Sequence, residues 1–170
     1  NCLVDGLALF MGGHALREAG LQQAGRIAEH TGARLITETF FSRQARGAGR
    51  VETERLPYFG EMAAEHLTGI DTLIFVGTKP PVSFFAYPDK PGWLSPESAT
   101  LIRVGDQSTD AIDALTRMAD GLGAQQTPTR FAQRAEQALE PGPINAMELG
   151  KVIANRLPDH AIVSDEGATN

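Results

Sequence analysis

The sequence predicts an α/β protein built on a mostly parallel sheet, and three stretches carry that prediction. Residues 7–39, LALFMGGHALREAGLQQAGRIAEHTGARLITET, read as strand, glycine turn, amphipathic helix and second strand. TLIFV at Thr72–Val76 and TLIRV at Thr100–Val104 supply two further apolar runs, the first closed by Gly77. Runs this short, with no polar alternation, suit strands covered on both faces by crossover helices.

In the first unit, Leu7–Met11 is apolar throughout, and Gly12 and Gly13 follow at once, where a chain turns sharply. Leu21, Ala24, Ile27 and Ala28 then form one helical stripe, with Arg17, Glu18, Gln22, Arg26 and Glu29 on the other side. Gly32 suits the left-handed position that closes many helices. Leu35 and Ile36 open a second buried strand, which makes the unit a right-handed βαβ crossover. Its strand-to-helix turn is the default place for a ligand.

The next stretch, TFFSRQARGAGRVETERLPYF, has four arginines, two glycines and no sustained period. A connection this long is functional or a solvated surface excursion. Pro57 is expected to open a helix on which Phe59, Met62, Ala63, His66 and Leu67 share a face, closed by Gly69. After the third strand, Pro80, Pro81, Pro88 and Pro91 forbid a helix or a central strand. Within that loop Phe84, Phe85, Tyr87 and Trp93 form an aromatic group, which either packs internally or walls a pocket. Beyond the fourth strand, Ser108 is expected to cap a helix carrying Ile112, Leu115, Met118, Ala119 and Leu122, ended by Gly121 and Gly123. Residues 124–143 change character: QQTPT and EPGP flank a segment in which Thr127 and Pro128 are expected to start a short helix. Asn145 and Glu148 have capping-box spacing ahead of a helix with Leu149, Val152, Ile153 and Leu157, and LPDHAIVSDEG is expected to return to strand and loop.

The 170 residues suffice for one good core and an appendage. The chain does not begin with Met and ends on SDEGATN, and is read as a piece of a longer protein. A formal charge of −6 with scattered basic residues argues against a nucleic-acid surface. No stretch approaches the roughly 18 apolar residues of a membrane span, and no signal-peptide pattern is found, so a cytoplasmic protein is expected. Cys2 alone excludes an internal disulfide framework, and His14, His30, His66 and His160 show no metal-ligand spacing.

The GGHAL turn would offer backbone N–H groups to an anion such as a diphosphate, although neither GxGxxG nor GxxxxGK[ST] occurs. Glu38 sits where a ribose-binding acid lies in a dinucleotide fold, or is an exposed acid beside a turn. Lys79 and Lys90 could meet an anionic substrate or be solvated. No nucleophile with an adjacent base emerges, so no catalytic residue is assigned.

Taken together, FMGGHALREAGLQQAGRIAEHTGARLITETF, ARGAGRVETERLPYF, LIFVGTKPPVSFFAYPDKP and LPDHAIVSDEGATN resemble the large-subunit acetolactate synthase-like enzymes, which depend on thiamin diphosphate. Residues 3–123 are similar to their middle domain, and the chain from Pro143 onward to the opening of their diphosphate-binding domain. The resemblance implies a Rossmann-like three-layer domain with about six strands. It implies a reaction in which a 2-keto acid is decarboxylated on the thiazolium carbon and then protonated or ligated, with thiamin diphosphate and Mg in the full-length parent. FAD binds this domain in authentic acetolactate synthases. Gly12, Gly13 and Gly77 match the glycines near that flavin, and Thr39 would join them in a nucleotide or flavin pocket. Ala168 and Thr169 match positions at the edge of the thiamin diphosphate, and Phe84, Phe85 and Tyr87 would line the substrate channel. The family's activating glutamate and its GDG metal motif lie outside this stretch, so the chain alone is expected to be inactive.

The sequence also departs from the family. The GMHG-like loop of flavin-dependent synthases is not found, which counts against FAD. VSFFAYPDKPGWL is closer to benzoylformate decarboxylase, yet offers Phe85 or Ala86 where that enzyme has an active-site histidine.

The resulting reading is a central domain at 1–123, a linker with a short helix at 124–143 and a truncated diphosphate-binding domain at 144–170. The expected partner is a small-molecule 2-keto acid, with no nucleic acid and no membrane. The parent is expected to be a homodimer or homotetramer, and the piece itself a monomer or weak dimer. The alternatives are a stand-alone nucleotide- or FAD-binding Rossmann-like module and a pseudoenzyme subunit.

Overall fold

The computed structural model describes residues 3–85, 88–105 and 108–165. The chain divides into two compact units, residues 1–132 and 133–170.

The first unit is an α/β domain with a five-stranded sheet. Its strands are β1 (Leu7–Met11), β2 (Arg34–Thr37), β3 (Glu54–Arg55), β4 (Thr72–Val76) and β5 (Thr100–Val104), in the order β3-β2-β1-β4-β5. Every pairing is parallel, with Leu9 opposite both Leu35 and Ile74. α1 (Glu18–Thr31) crosses from β1 to β2 and α2 (Gly60–His66) from β3 to β4, while α3 (Ala111–Gly121) follows β5 and packs against α1.

Alternate residues of β1 feed two cores. Leu9 and Met11 join Leu21, Ala24 and Ile27 of α1 and Leu115 and Ala119 of α3 on one face. Ala8 and Phe10 join Ile36, Phe75 and the α2 residues Ala63 and Leu67 on the other. Phe10 and Phe75 meet edge to face, with centroids 6.0 Å apart at 81°, a geometry worth about 0.5–1.5 kcal/mol beyond burial. Cover on both faces explains the unbroken apolar run of β1, whereas β5, at the edge of the sheet and expected to be covered likewise, is exposed from Thr100 to Arg103.

The structure departs from the sequence reading in several places. There are five strands among the described residues, not about six. Between β5 and residue 132 the only sustained apolar pattern is the α3 stripe, so no sequence is left to form another strand. The arginine-rich excursion supplies β3, whose Leu56 N–H donates to the Thr37 carbonyl. The helix expected from Pro57 starts at Gly60, and its Phe59 and Met62 face solvent while Ala63 and Leu67 are buried. Asp110, not Ser108, caps α3: its carboxylate accepts the N–H groups of Ile112 (2.9 Å) and Asp113 (3.1 Å).

Arg26, assigned to the polar side of α1, is only 3% exposed. It donates to Asp120 (2.7 Å), Gln23 (2.5 Å) and the Gln125 carbonyl (2.6 Å), which ties α1 to the end of α3. A buried guanidinium needs such partners. At the outer edge, Arg34 grips Glu54 through two nitrogens (2.5 and 3.2 Å), and Nε2 of His66 lies 3.0 Å from the same carboxylate. The Arg34 hydrogen bonds hold the Glu54 carboxyl below its ordinary pKa.

The short helix expected from Thr127 and Pro128 does not form. Residues 127–132 are irregular and lie as a strap against α1, because their polar groups find partners outside the segment. Glu29 accepts the N–H groups of Thr129 and Arg130, each at 2.6 Å, and the Thr129 hydroxyl at 3.0 Å. Ala132 exchanges backbone hydrogen bonds with Arg50 and Gly49. Pro128 and Val51 pack over Gly25, where a β-carbon would lie 3.1 Å from Pro128 Cβ and 2.9 Å from Val51 Cγ2.

The second unit contains α4 (Ala146–Arg156), capped by the Asn145 side chain, which accepts the Glu148 N–H at 3.0 Å. The reciprocal half of the capping box is replaced, as Glu148 holds Lys151 (2.7 Å) and the Glu140 N–H (3.3 Å). Its apolar row, Leu149, Val152, Ile153 and Leu157, is 37–48% exposed. The strand expected in LPDHAIVSDEG is not present among the described residues, since no neighbouring strand is available to pair with it.

Two predictions follow from this packing. The Thr37 hydroxyl is buried at the end of β2 with no hydrogen-bond partner among the described residues. Thr37→Val is expected to raise stability by about 1 kcal/mol in urea unfolding, and a loss would show that the hydroxyl has a partner after all. At Glu29, burial alone would raise the pKa, but the N–H groups of Arg130 and Thr129 and the Thr129 hydroxyl outweigh it and hold the carboxyl below its ordinary value. The strap contacts are therefore fully present above the unfolded-state value of about 4.3 and are lost as pH falls through the lower folded value. In NMR titration the Thr129 and Arg130 amide shifts should move with a midpoint below about 4.3, and should not move in Glu29→Gln.

Candidate functional site at the carboxyl edge of the sheet

The strand order reverses between β1 and β4, so the crevice above their carboxyl ends is the switch point of the sheet. Gly12 and Gly13 follow β1, and Gly77 follows β4. The Gly12 N–H donates to the Val76 carbonyl at 3.1 Å, which draws the two turns together. A β-carbon on Gly77 would lie 2.8 Å from the Gly12 carbonyl oxygen, and one on Gly13 would lie 3.3 Å from the Gly77 oxygen. Gly77 also has φ +67°, which disfavours any side chain.

The predicted pocket residues separate. Gly12, Gly13 and Gly77 come together, whereas Thr39 turns toward the β3 side and donates to the carbonyls of Leu56 (3.0 Å) and Pro57 (3.4 Å). Its place beside the glycines is taken by Glu38, whose carboxylate accepts the buried Thr78 hydroxyl at 2.7 Å. That pair spans from the end of β2 to the end of β4 across the top of β1. Thr78 directly follows Gly77, and the parallel between the two strand-ending glycines is the sequence signal that could have pointed to it.

The GGHAL turn does not lead straight into the long helix. Residues Gly13–Leu16 form a single 3-10 turn, and α1 begins only at Glu18. The first turn of α1 carries its own anion, Glu18, paired with Arg50 at 2.7 Å. The long helix expected directly after the glycines is therefore preceded by a short 3-10 turn, with the Arg17 N–H donating to the His14 carbonyl.

Beside the crevice lies a group of aromatic rings. Phe84 and Phe85 are 4.8 Å apart, and Phe84 meets Phe40 (5.2 Å) and Tyr58 (6.1 Å), with Phe59 5.2 Å from Tyr58. Phe40, Phe59, Phe84 and Phe85 are 47–62% exposed. The rings come from loops after β2, β3 and β4, so the pairing of β3 with β2 assembles them. Phe40 and Tyr58 were not singled out in the sequence, and Phe59 was assigned to a helix face, because these rings bracket the long excursion and converge only once it folds back. Trp93 lies apart from the cluster's ring contacts, in an antiparallel bridge with Val82. Lys90 pairs with Glu61, and Lys79 is exposed. Tyr87, Ala86, Ala168 and Thr169 lie outside the described residues. A recess of about 290 Å³ lies at the opposite, amino end of the strands, lined by Leu3, Gly6, Leu7, Thr31, Arg34 and Ile70.

This architecture is that of a domain found in thiamin diphosphate enzymes. One neighbour, a protein of Mycobacterium smegmatis provisionally described as a thiamin diphosphate-dependent enzyme, has a TM-score of 0.62 and 20% identity, over 93% of this chain and 34% of its own. Another, a thiamine diphosphate-dependent 4-hydroxybenzoylformate decarboxylase of Rhodococcus jostii RHA1, has a TM-score of 0.63 and 19% identity, over 93% of this chain and 33% of its own. In sequence, the chain is 40% identical over 161 residues to IlvX of Mycobacterium tuberculosis, provisionally named an acetolactate synthase large subunit. The resemblance to the acetolactate synthase-like proteins is thus shown along 95% of this chain, which spans 31% of that relative. No family model matches the chain. No helix among the described residues is long and apolar enough to cross a membrane.

The contact between the two glycine turns gives a paired prediction. Gly77→Ala combines a left-handed backbone with a β-carbon 2.8 Å from the Gly12 oxygen. It is expected to cost roughly 2–4 kcal/mol. Gly123→Ala, at a similar φ of +66° but with open space around it, should cost only about 1 kcal/mol in the same urea titration. Equal losses would mean that the crowding between the turns does not matter.

Proposed function

We propose that this chain is the central domain, joined to the opening of the diphosphate-binding domain, of an acetolactate synthase-like, thiamin diphosphate-dependent enzyme acting on a 2-keto acid. The observation that carries the reading is the 40% identity to an acetolactate synthase-like protein sustained over 161 residues. In the parent, thiamin diphosphate with Mg would supply the electron sink for decarboxylation, followed by protonation or carboligation. Ala168 and Thr169 would meet the edge of its diphosphate. The chain's own share is that of a scaffold, and the exposed rings of Phe84 and Phe85 with Phe40 and Tyr58 form one wall of the substrate approach. Their position above the carboxyl ends of parallel strands supports this, because that edge is where α/β sheets receive ligands. A homodimeric or homotetrameric cytoplasmic parent fits the same reading.

The test uses the parent polypeptide beside the 170-residue chain. The parent is expected to bind thiamin diphosphate with Mg and to release CO2 from a 2-keto acid, and the chain alone to do neither. Phe84→Ala in the parent should raise KM about tenfold with kcat little changed, as expected when a contact made equally in ground and transition states is removed. A parent that neither binds the cofactor nor releases CO2 would sink the proposal.

A further inference from the structure

We infer that the switch-point crevice of this domain is sealed by its own side chains and holds neither a flavin nor an adenine nucleotide. The inference concerns the central domain alone and stands whether or not the parent uses thiamin diphosphate. A dinucleotide in such a crevice needs two things: N–H groups free to meet its diphosphate, and empty space above the glycine turn.

Both are reduced here. The Gly12 N–H is donated to the Val76 carbonyl and the Ala15 N–H to the Gly12 carbonyl, and the 3-10 turn moves the start of α1 to Glu18. The space above Gly12 is filled: a β-carbon there would lie 2.7 Å from Oε1 of Glu38 and 2.8 Å from Cβ of Thr78. The glycine is required by the protein's own side chains and needs no ligand to explain it. The charge is also wrong for a diphosphate, because a carboxylate occupies the position where the phosphates would approach.

Glu38 lies where a ribose-binding acid would lie, yet its carboxylate is turned onto the glycine turn and holds Thr78. Oε2 accepts the Thr78 hydroxyl and Oε1 packs against Gly12. The pair acts as a strut joining the ends of β2 and β4 over β1, in place of a bound nucleotide. FAD, which the resemblance to acetolactate synthases would bring, does not fit these residues.

Two measurements on the 170-residue chain test this. The chain is titrated with FAD and separately with ADP to about 100 μM, and no saturable binding is expected. Urea unfolding is then compared for Glu38→Ala, Thr78→Val and the double variant. Each single change should lower the folded-to-unfolded ratio about tenfold, and the double change should cost clearly less than the two combined, because both remove one shared interaction. Saturable binding of either ligand would overturn the inference. So would single variants as stable as the parent chain, the pattern of a residue kept for a ligand and not for the fold. Strictly additive losses would overturn it as well, since no strut would then link the two residues.

Discussion

The central strand has a parallel partner on each side and a helical layer over each face. Met11 lies opposite Thr37 on one side and Val76 on the other, so both crossovers must turn within a residue or two of the same point. Parallel pairing forces each connection back to the opposite end of the sheet, through α1 from β1 to β2, through α2 from β3 to β4, and through long loops from β2 to β3 and from β4 to β5. All the features at the carboxyl edge follow from this crowding. Two chains leaving adjacent strands at one level can pass only if their backbones touch, and Gly12 and Gly77 permit that contact.

The same geometry places the side chains that follow each turn. Glu38 leaves β2 beside Gly12, and Thr78 leaves β4 on the other side, so a carboxylate and a hydroxyl meet above the middle strand. Slightly further out, the loops carrying Phe40, Tyr58 and Phe84 meet at one rim. The edge thus combines a polar strut over the switch point with an apolar rim beside it. The strut links the ends of β2 and β4, and the rings of Phe40 and Phe84 on the rim are exposed.

On the α1 side, cohesion depends on polar groups that the apolar stripe alone would not suggest. Arg26 binds the end of α3, and Glu29 binds the strap at 127–132, so one helix anchors two later segments by two side chains three residues apart. Both are satisfied by backbone groups as well as side chains, as buried or half-buried charges must be. In the second unit the apolar row of α4 is 37–48% exposed.

The sequence by itself determined the fold class and most of the element types. Apolar runs such as Leu7–Met11 and Thr72–Val76 can be buried only between two layers, and Gly32, with φ +80°, ends α1 where its position suggested. Those features depend on neighbours within a few residues, which is why they were legible. The tertiary structure alone decided what Arg26, Glu29, Glu38 and Thr78 do, because their partners lie 40 to 101 residues away along the chain. It also decided that the segment after Pro128 would not be helical, since a carboxylate on α1 accepts the N–H groups of Thr129 and Arg130. The aromatic rim arose in the same way. Local periodicity tells which face of a segment seeks burial, but only the closing of the sheet determines which distant groups are brought within reach of one another.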